Sequence, residues 1–128
     1  MYPDDRVYSK EHEWVRREGS GDECVLGITL FAQEELGDVV FVELPEAGAR
    51  FAAGAELGTI ESVKAVAELY TPVACEVLAV NETVVDTPEL LNEDPHDKGW
   101  LVRIRVDDPS SIDGLMSAAD YERLLATG

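Results

Sequence analysis

Gly58-Thr59-Ile60-Glu61-Ser62-Val63-Lys64-Ala65-Val66-Ala67-Glu68-Leu69-Tyr70-Thr71-Pro72 decides how the chain is read. On each side of Val63-Lys64 the residues alternate in the manner of a half-buried strand, and Pro72 closes the second run. Two strands are therefore expected, Glu56 to Ser62 and Ala65 to Thr71, joined by a tight tip near residues 63–65. Lys64 stands at that tip. A primary amine on a four-carbon stem there projects from the body and is open to a modifying enzyme, although locally a solvated turn lysine reads the same way.

Outward from the hairpin the chain keeps to short strand-like runs between turn signals. Glu13 to Arg16 and Cys24 to Thr29 predict two strands joined across Glu18-Gly19-Ser20-Gly21-Asp22, a loop rich in residues that tolerate positive φ. Thr29 can cap a short helix over Leu30 to Leu36, and Gly37 is placed to end it. Val39 to Leu44 reads as an apolar strand stopped by Pro45 and Gly48, and Cys75 to Val80 and Trp100 to Val106 as two more. Thr87-Pro88-Glu89-Leu90-Leu91 predicts a helical turn with Thr87 as cap and Pro88 first in the helix. A C-terminal helix is expected over about 117–126. Ser117 to Asp120 resembles a capping box, and Leu115, Tyr121, Leu124 and Leu125 supply an apolar stripe for docking on a sheet. Gly37 to Val42 also aligns with Cys75 to Val80, acid on acid and valine on valine, with the Val63-Lys64 tip between the copies. The fold class is accordingly mostly β, a sandwich of two related halves with short helices and a C-terminal helix.

Twenty-seven Asp and Glu against ten Lys and Arg leave 128 residues with a formal charge of -17, shared nearly evenly by the two halves. Phosphate backbones and anionic headgroups would repel such a surface, so no nucleic-acid or membrane partner is expected. A hydrophobic fraction of 45% is too high for a chain held open by its own charge. The length predicts one domain over 1–128. No apolar stretch could span a bilayer, and the opening Met-Tyr-Pro-Asp-Asp-Arg has neither signal- nor transit-peptide character, so a bacterial-type cytoplasmic location is expected.

Several chemistries fail on the residues they need. His12 and His96 are the two histidines, too few and wrongly spaced for a metal site, and no serine lies in a nucleophile elbow. Gly19-Ser20-Gly21 begins a dinucleotide-like pattern, but Cys24 replaces the third glycine, so it reads as a turn. Ser62 and Lys64 lack the spacing of an acyl-enzyme pair, and abundant acids single out no glycosidase pair. Cys24 and Cys75 lie in apolar, strand-like contexts and are expected to be buried reduced thiols. Trp14, Trp100, Tyr8 and Tyr70 are expected to cover the sheets.

Glu61-Ser62-Val63-Lys64-Ala65 resembles the lipoyl-attachment sequence of the H-protein family of the glycine cleavage system. The upstream blocks His12-Glu13-Trp14, Gly27-Ile28-Thr29, Ala32-Gln33, Leu36 to Pro45 and Gly48 are similar to that family's landmarks and follow in its order. Downstream, Tyr70 to Val73, Glu76-Val77, Val80-Asn81, Pro88 to Asn92, Asp94-Pro95 and Gly99-Trp100-Leu101 continue the likeness, which runs from about Tyr8 to Leu125. It implies the hybrid-motif fold of lipoyl and biotinyl carriers, a flattened sandwich or barrel of two quasi-symmetric halves. One departure stands out. After the Pro-Val the family usually has a small-residue turn ending in glycine, whereas this chain reads Pro72-Val73-Ala74-Cys75-Glu76; if positive φ were needed there, a cysteine would be strained by roughly 1 to 2 kcal/mol, which puts both the turn geometry and the thiol's exposure at issue.

The resemblance implies that a lipoate ligase or transferase joins lipoate to Lys64 through an amide. The loaded chain would carry the aminomethyl group of glycine from a pyridoxal-phosphate-dependent glycine decarboxylase to a tetrahydrofolate-dependent aminomethyltransferase. A flavin-containing dihydrolipoyl dehydrogenase would then reoxidise the dithiol. The chain is thus expected to be no enzyme but a shuttling substrate, monomeric and without metal, whose cofactor brings the chemistry. Glu61 and Val63 would help the modifying enzyme recognise the hairpin, Ala65 would keep the tip uncluttered, and Glu13 and Glu68 would line an acidic groove for the loaded arm. A biotin carrier would typically place methionines beside the lysine, and a lipoyl domain of a 2-oxoacid dehydrogenase an aspartate before it and a further domain after it. Val63, Ala65 and the end at Gly128 disfavour both. An unmodified paralogue, or a relay that passes lipoate to other enzymes, stays open at this stage.

Overall fold

The computed structural model describes residues 2–18 and 21–127. In chain order these form β1 (Val7–Tyr8), β2 (Glu13–Arg17), β3 (Glu23–Ile28), α1 (Leu30–Leu36), β4 (Val39–Glu43), β5 (Arg50–Phe51), β6 (Glu56–Ser62), β7 (Val66–Tyr70), β8 (Cys75–Val80), α2 (Glu82–Asp86), α3 (Leu90–Glu93), β9 (Val102–Val106), a 3-10 turn (Pro109–Gly114) and α4 (Ala118–Thr127). Two antiparallel sheets result, one in the order β1-β2-β3-β9-β8-β5 and one in the order β4-β6-β7. The sandwich form of the expected fold is the one found; no closed barrel forms among the described residues. The two segments that align in sequence fall on β4 and β8, one in each sheet, on either side of the β6–β7 hairpin.

β9 shows how the sequence sets the layers. Val102, Ile104 and Val106 point into the space between the sheets while Arg103 and Arg105 face solvent, the two-residue period of a strand. Each buried aliphatic contributes about 2 kcal/mol, and the outward arginines reach Glu18, Asp22 and Glu76. From the facing sheet Val42, Ile60 and Leu69 complete the same core. A second cluster, Tyr8, Trp14, Val25, Ala118 and Tyr121, lies where α4 covers the larger sheet. Trp14 fits there because its cross-strand neighbour is Gly27: a Cβ on that glycine would come within 2.6 Å of Trp14 Cζ2. The indole N–H donates to the Pro95 carbonyl at 3.0 Å, and the Arg6 guanidinium stacks 4.5 Å from the ring centre.

Local signals explain most boundaries. The Thr29 hydroxyl accepts from the Ala32 N–H, and Gly37, at φ 79, closes α1 with its N–H on the Gln33 carbonyl. Ser117 caps α4 by accepting from the Asp120 N–H at 3.2 Å, while the Asp120 carboxylate turns to Arg123 instead of completing a capping box. Gly19 and Ser20 of the expected β2–β3 loop lie outside the described residues; below them the Glu18 N–H closes on the Glu23 carbonyl at 2.9 Å.

Three expectations are corrected, and one helix went unread. Thr87 is not a side-chain cap: its N–H ends α2 on the Thr83 carbonyl, while its own carbonyl accepts the Leu90 N–H at 3.0 Å in the expected helical turn, which runs into α3 at Leu90. The helix α2 hides in Glu82-Thr83-Val84-Val85-Asp86, whose β-branched residues read as strand, yet the Asn81 side chain caps it through the Thr83 N–H. Cys75 carries no strain, because it lies inside β8 and His12 is the one non-glycine among the described residues with positive φ. The turn before it is held by the Thr71 hydroxyl, which donates to the Val73 carbonyl at 2.7 Å. Both thiols are free and buried, and burial pushes each of them up, Cys24 to about 11. Tyr70 is not a covering residue: it sits opposite Glu56 on the edge strand and is exposed, whereas Tyr8 and Trp14 are fully buried and Trp100 partly so.

Candidate functional site

The β6–β7 register pairs Glu61 with Val66 and Ile60 with Ala67, which leaves Val63, Lys64 and Ala65 as the tip. Ser62 builds it. Its N–H donates to the Ala65 carbonyl at 2.8 Å, and its buried hydroxyl accepts from the Lys64 and Ala65 N–H groups at 3.3 and 3.1 Å. A side-chain oxygen thus replaces the next rung of the ladder, the turn-forming use of serine. With its own backbone satisfied, the tip can carry Val63 at 70% exposure and an exposed Lys64. A second tie comes from outside the hairpin, where the Val63 N–H donates to the Asp38 carbonyl at 3.0 Å.

The lysine leans toward the end of α1. A Cβ on Gly37 would meet Lys64 Cε at 3.3 Å, so the alkyl stem rests across that glycine. In a chain this acidic the amine could easily be captured, yet it is not. All seven arginines pair with carboxylates, while among the described residues no ion pair holds any of the three lysines. Glu61 lies in a cross-strand row between Phe41 and Val66, all three exposed on the outer face of the small sheet.

Below the tip a groove of about 300 Å³ runs between α1, β2 and the hairpin, and both Glu13 and Glu68 line it. Its floor and walls are Phe31, Ile60 and Ala67, with Glu35 added to the acids. Ile60 and Ala67 are one rung below the Glu61–Val66 pair, so the groove opens about one strand residue, ~3.3 Å, beneath the last rung before the tip. Glu13 is only 2% exposed. Burial pushes its carboxyl up to about 7, against the Ser9 hydroxyl, which donates to Oε1 at 2.6 Å, and the Tyr70 N–H, both of which favour the charged form. Glu68 is exposed, on the edge strand. His12 also lines the groove; burial lowers its pKa, and its Nδ1 lies 2.7 Å from the Tyr121 hydroxyl. His96 is structural, its Nε2 accepting the Leu30 N–H at 3.0 Å. A larger open hollow of about 620 Å³ between Phe41–Ala47 and Leu78–Val80 is lined by no lysine, arginine, histidine, serine or cysteine. No cluster of metal-type ligands occurs among the described residues.

A tip lysine over a two-sheet body, with an acidic groove beside it, suits a covalent carrier. A family model described as glycine cleavage H-protein matches residues 6–128. The chain belongs to the glycine cleavage H-protein family. A glycine cleavage system H protein of Carboxydothermus hydrogenoformans is 47% identical over 125 residues, 98% of this chain and 95% of that protein. One of Herpetosiphon aurantiacus is 53% identical over 123 residues, 96% of this chain and 92% of its own length. The crystal structure of a glycine cleavage system H protein from Mycobacterium marinum superposes with a TM-score of 0.89 at 35% identity, over 98% of this chain and 99% of that one. Membership gives the chain its role as the carrier protein of the glycine cleavage system.

Of the residues singled out in the sequence, Glu61, Val63, Lys64 and Ala65 come together at the hairpin end, and Glu13 and Glu68 in the groove below it. Sequence reasoning missed Ser62 as the residue that shapes the tip, and the Gly37–Asp38 carbonyl ground beneath it. A serine two residues before a turn lysine is the signal for the first; the second needs contacts far apart in sequence and left none.

Proposed function

We infer that residues 1–128 act as one lipoyl-carrier domain, with lipoate joined through an amide to Lys64 by a lipoate ligase or transferase. The observation that carries this is the exposed, unpaired Lys64 at a tip preformed by Ser62, in a chain of the H-protein family. When bound, the dithiolane supplies the sulfur chemistry. The chain's own residues do the rest. Ser62 and Asp38 hold the tip, Glu61 and Val63 present a recognisable outer face, and Ala65 adds no bulk beside the amine.

The groove suits the loaded arm: Phe31, Ile60 and Ala67 offer apolar surface to its carbon chain, and Glu13, Glu35 and Glu68 offer carboxylates to a cationic amine. On this reading the chain carries the aminomethyl group of glycine from a pyridoxal-phosphate-dependent decarboxylase to a tetrahydrofolate-dependent aminomethyltransferase, then presents dihydrolipoate to dihydrolipoyl dehydrogenase. It works as a monomer in the cytoplasm; no helix among the described residues is long and apolar enough to cross a membrane. Intact-mass analysis of protein from its native host, with mapping of the Lys64 peptide, tests the attachment. A lipoyl increment on Lys64 is expected; biotin or an unmodified lysine overturns it. Reconstituted glycine decarboxylation with matched partners then separates the shuttle from a lipoate relay, and Lys64→Arg should abolish both with the fold intact.

A further inference from the structure

The side-chain bonds of Ser62 stay within residues 62–65 and shape the tip, while its backbone meets the body through its cross-strand partner Val39. The β4–β6 ladder is weakest at the same place, because its register shifts between Val39 and Phe41. Asn92 of α3 acts at that break. Its Nδ2 donates to the Gly37 carbonyl at 2.8 Å and its Oδ1 accepts from the Val39 N–H at 2.9 Å, so one planar amide grips both residues flanking Asp38. Asp38 in turn receives the Val63 N–H, and Gly37 carries the Lys64 stem.

We propose that Asn92 is a positioning residue for Lys64, fixing the Gly37–Val39 turn in the arrangement that supports the lysyl stem and aims the amine away from the hairpin. The proposal rests on Lys64 being the attachment lysine. A residue that merely packed α3 against the body would lower stability everywhere alike. A clamp acts locally, on the tip and on the reactivity of its amine, while the outer face that a partner docks against stays as it is.

The test compares the whole unmodified chain with Asn92→Ala, which loses both bonds, and Asn92→Asp, which keeps the acceptor for Val39 and sets a carboxylate oxygen against the Gly37 carbonyl. Residue-resolved amide exchange should show protection of the Val63 N–H falling at least about tenfold in both variants, with Leu26 and Ile104 of the large sheet unchanged. Val39 should lose protection in Asn92→Ala and keep more of it in Asn92→Asp. With a lipoate ligase, lipoate and ATP, kcat for modification of Lys64 should fall about fivefold or more while KM for the carrier stays within about twofold. Unchanged protection at Val63 overturns the proposal, as does equal loss at Val63, Leu26 and Ile104. Unchanged kcat in a variant whose Val63 has lost protection also overturns it. If Asn92→Ala does not fold, the isosteric Asn92→Asp carries the test. A wild-type chain that takes no lipoate on Lys64 removes the attachment reading instead, and the exchange measurement alone then decides whether Asn92 holds the tip.

Discussion

Replacing Glu13 by Gln keeps the shape of the side chain and its acceptor for the Ser9 hydroxyl but removes the proton. In the folded chain, burial holds the Glu13 carboxyl at about 7, against an ordinary value of 4.5. The folded state therefore binds this proton more tightly than the unfolded state does. Stability from this group is intact below about pH 4.5 and falls as pH rises, since the unfolded chain ionises freely while the folded one must bury a charge. At about 1.4 kcal/mol for each pH unit between the two values, the loss levels off near 3 kcal/mol by about pH 8. Gln pays none of it. Urea unfolding of both proteins at matched ionic strength should show Glu13→Gln gaining about 3 kcal/mol on the wild type between pH 4 and pH 8, most of it from 4.5 to 7, because the other acids cancel in the difference. Parallel stability curves would refute the reasoning. The same carboxyl gains a use from its poise: at neutral pH an ammonium entering the groove would expel the proton and meet a carboxylate with its water already removed.

The groove proposal predicts that Glu13→Gln with Glu68→Gln speeds hydrolytic loss of the aminomethyl group from the loaded chain, followed as the decay of its mass increment; an unchanged lifetime defeats it. Gly37→Ala should cost about 1 to 2 kcal/mol, since its φ of 79 disfavours any side chain, and should displace the Lys64 stem, whose Cε would stand 3.3 Å from the new Cβ. Its urea midpoint and its rate of lipoate uptake should fall together. Gly27→Ala forces the Trp14 ring off its site, because the methyl would lie 2.6 Å from Cζ2; a loss of roughly 3 kcal/mol and a changed tryptophan emission are expected. Transfer between partners should slow as salt is raised, since a charge of -17 favours encounters with basic docking surfaces. Rates indifferent to ionic strength would contradict that.

Wherever a structural feature was written in neighbouring residues, the sequence could be read. Thr29 and Gly37 bracket α1, Pro72 follows the hairpin, and β6 and β8 have the expected bounds. β1 and β5, of two residues each, gave no period to see, and their pairing depends on β2 and β8. For α2, local propensity pointed the wrong way, and packing of Val84 into the core settled the matter. The site divides on the same line. Lys64 and its flanks are contiguous, whereas the support beneath them joins residues 37–39, 63 and 92, which come together only after the sheets pack.

That division explains why the amine stays free in so acidic a chain. Glu61 is three residues from Lys64, close enough in sequence to neutralise it. Its strand position instead turns it to the outer face, in the row with Phe41 and Val66, while the Lys64 stem is drawn across Gly37 toward the end of α1. An ammonium held in a salt bridge must give up its partner before it can lose a proton and attack an acyl group, and the bridge would raise that cost. Keeping the two charges on different sides of the hairpin removes the cost and leaves the carboxylate available to a partner. On the proposed reading this carboxylate is there for recognition and not for charge balance, so Glu61→Gln should raise KM for the lipoate ligase far more than it lowers kcat.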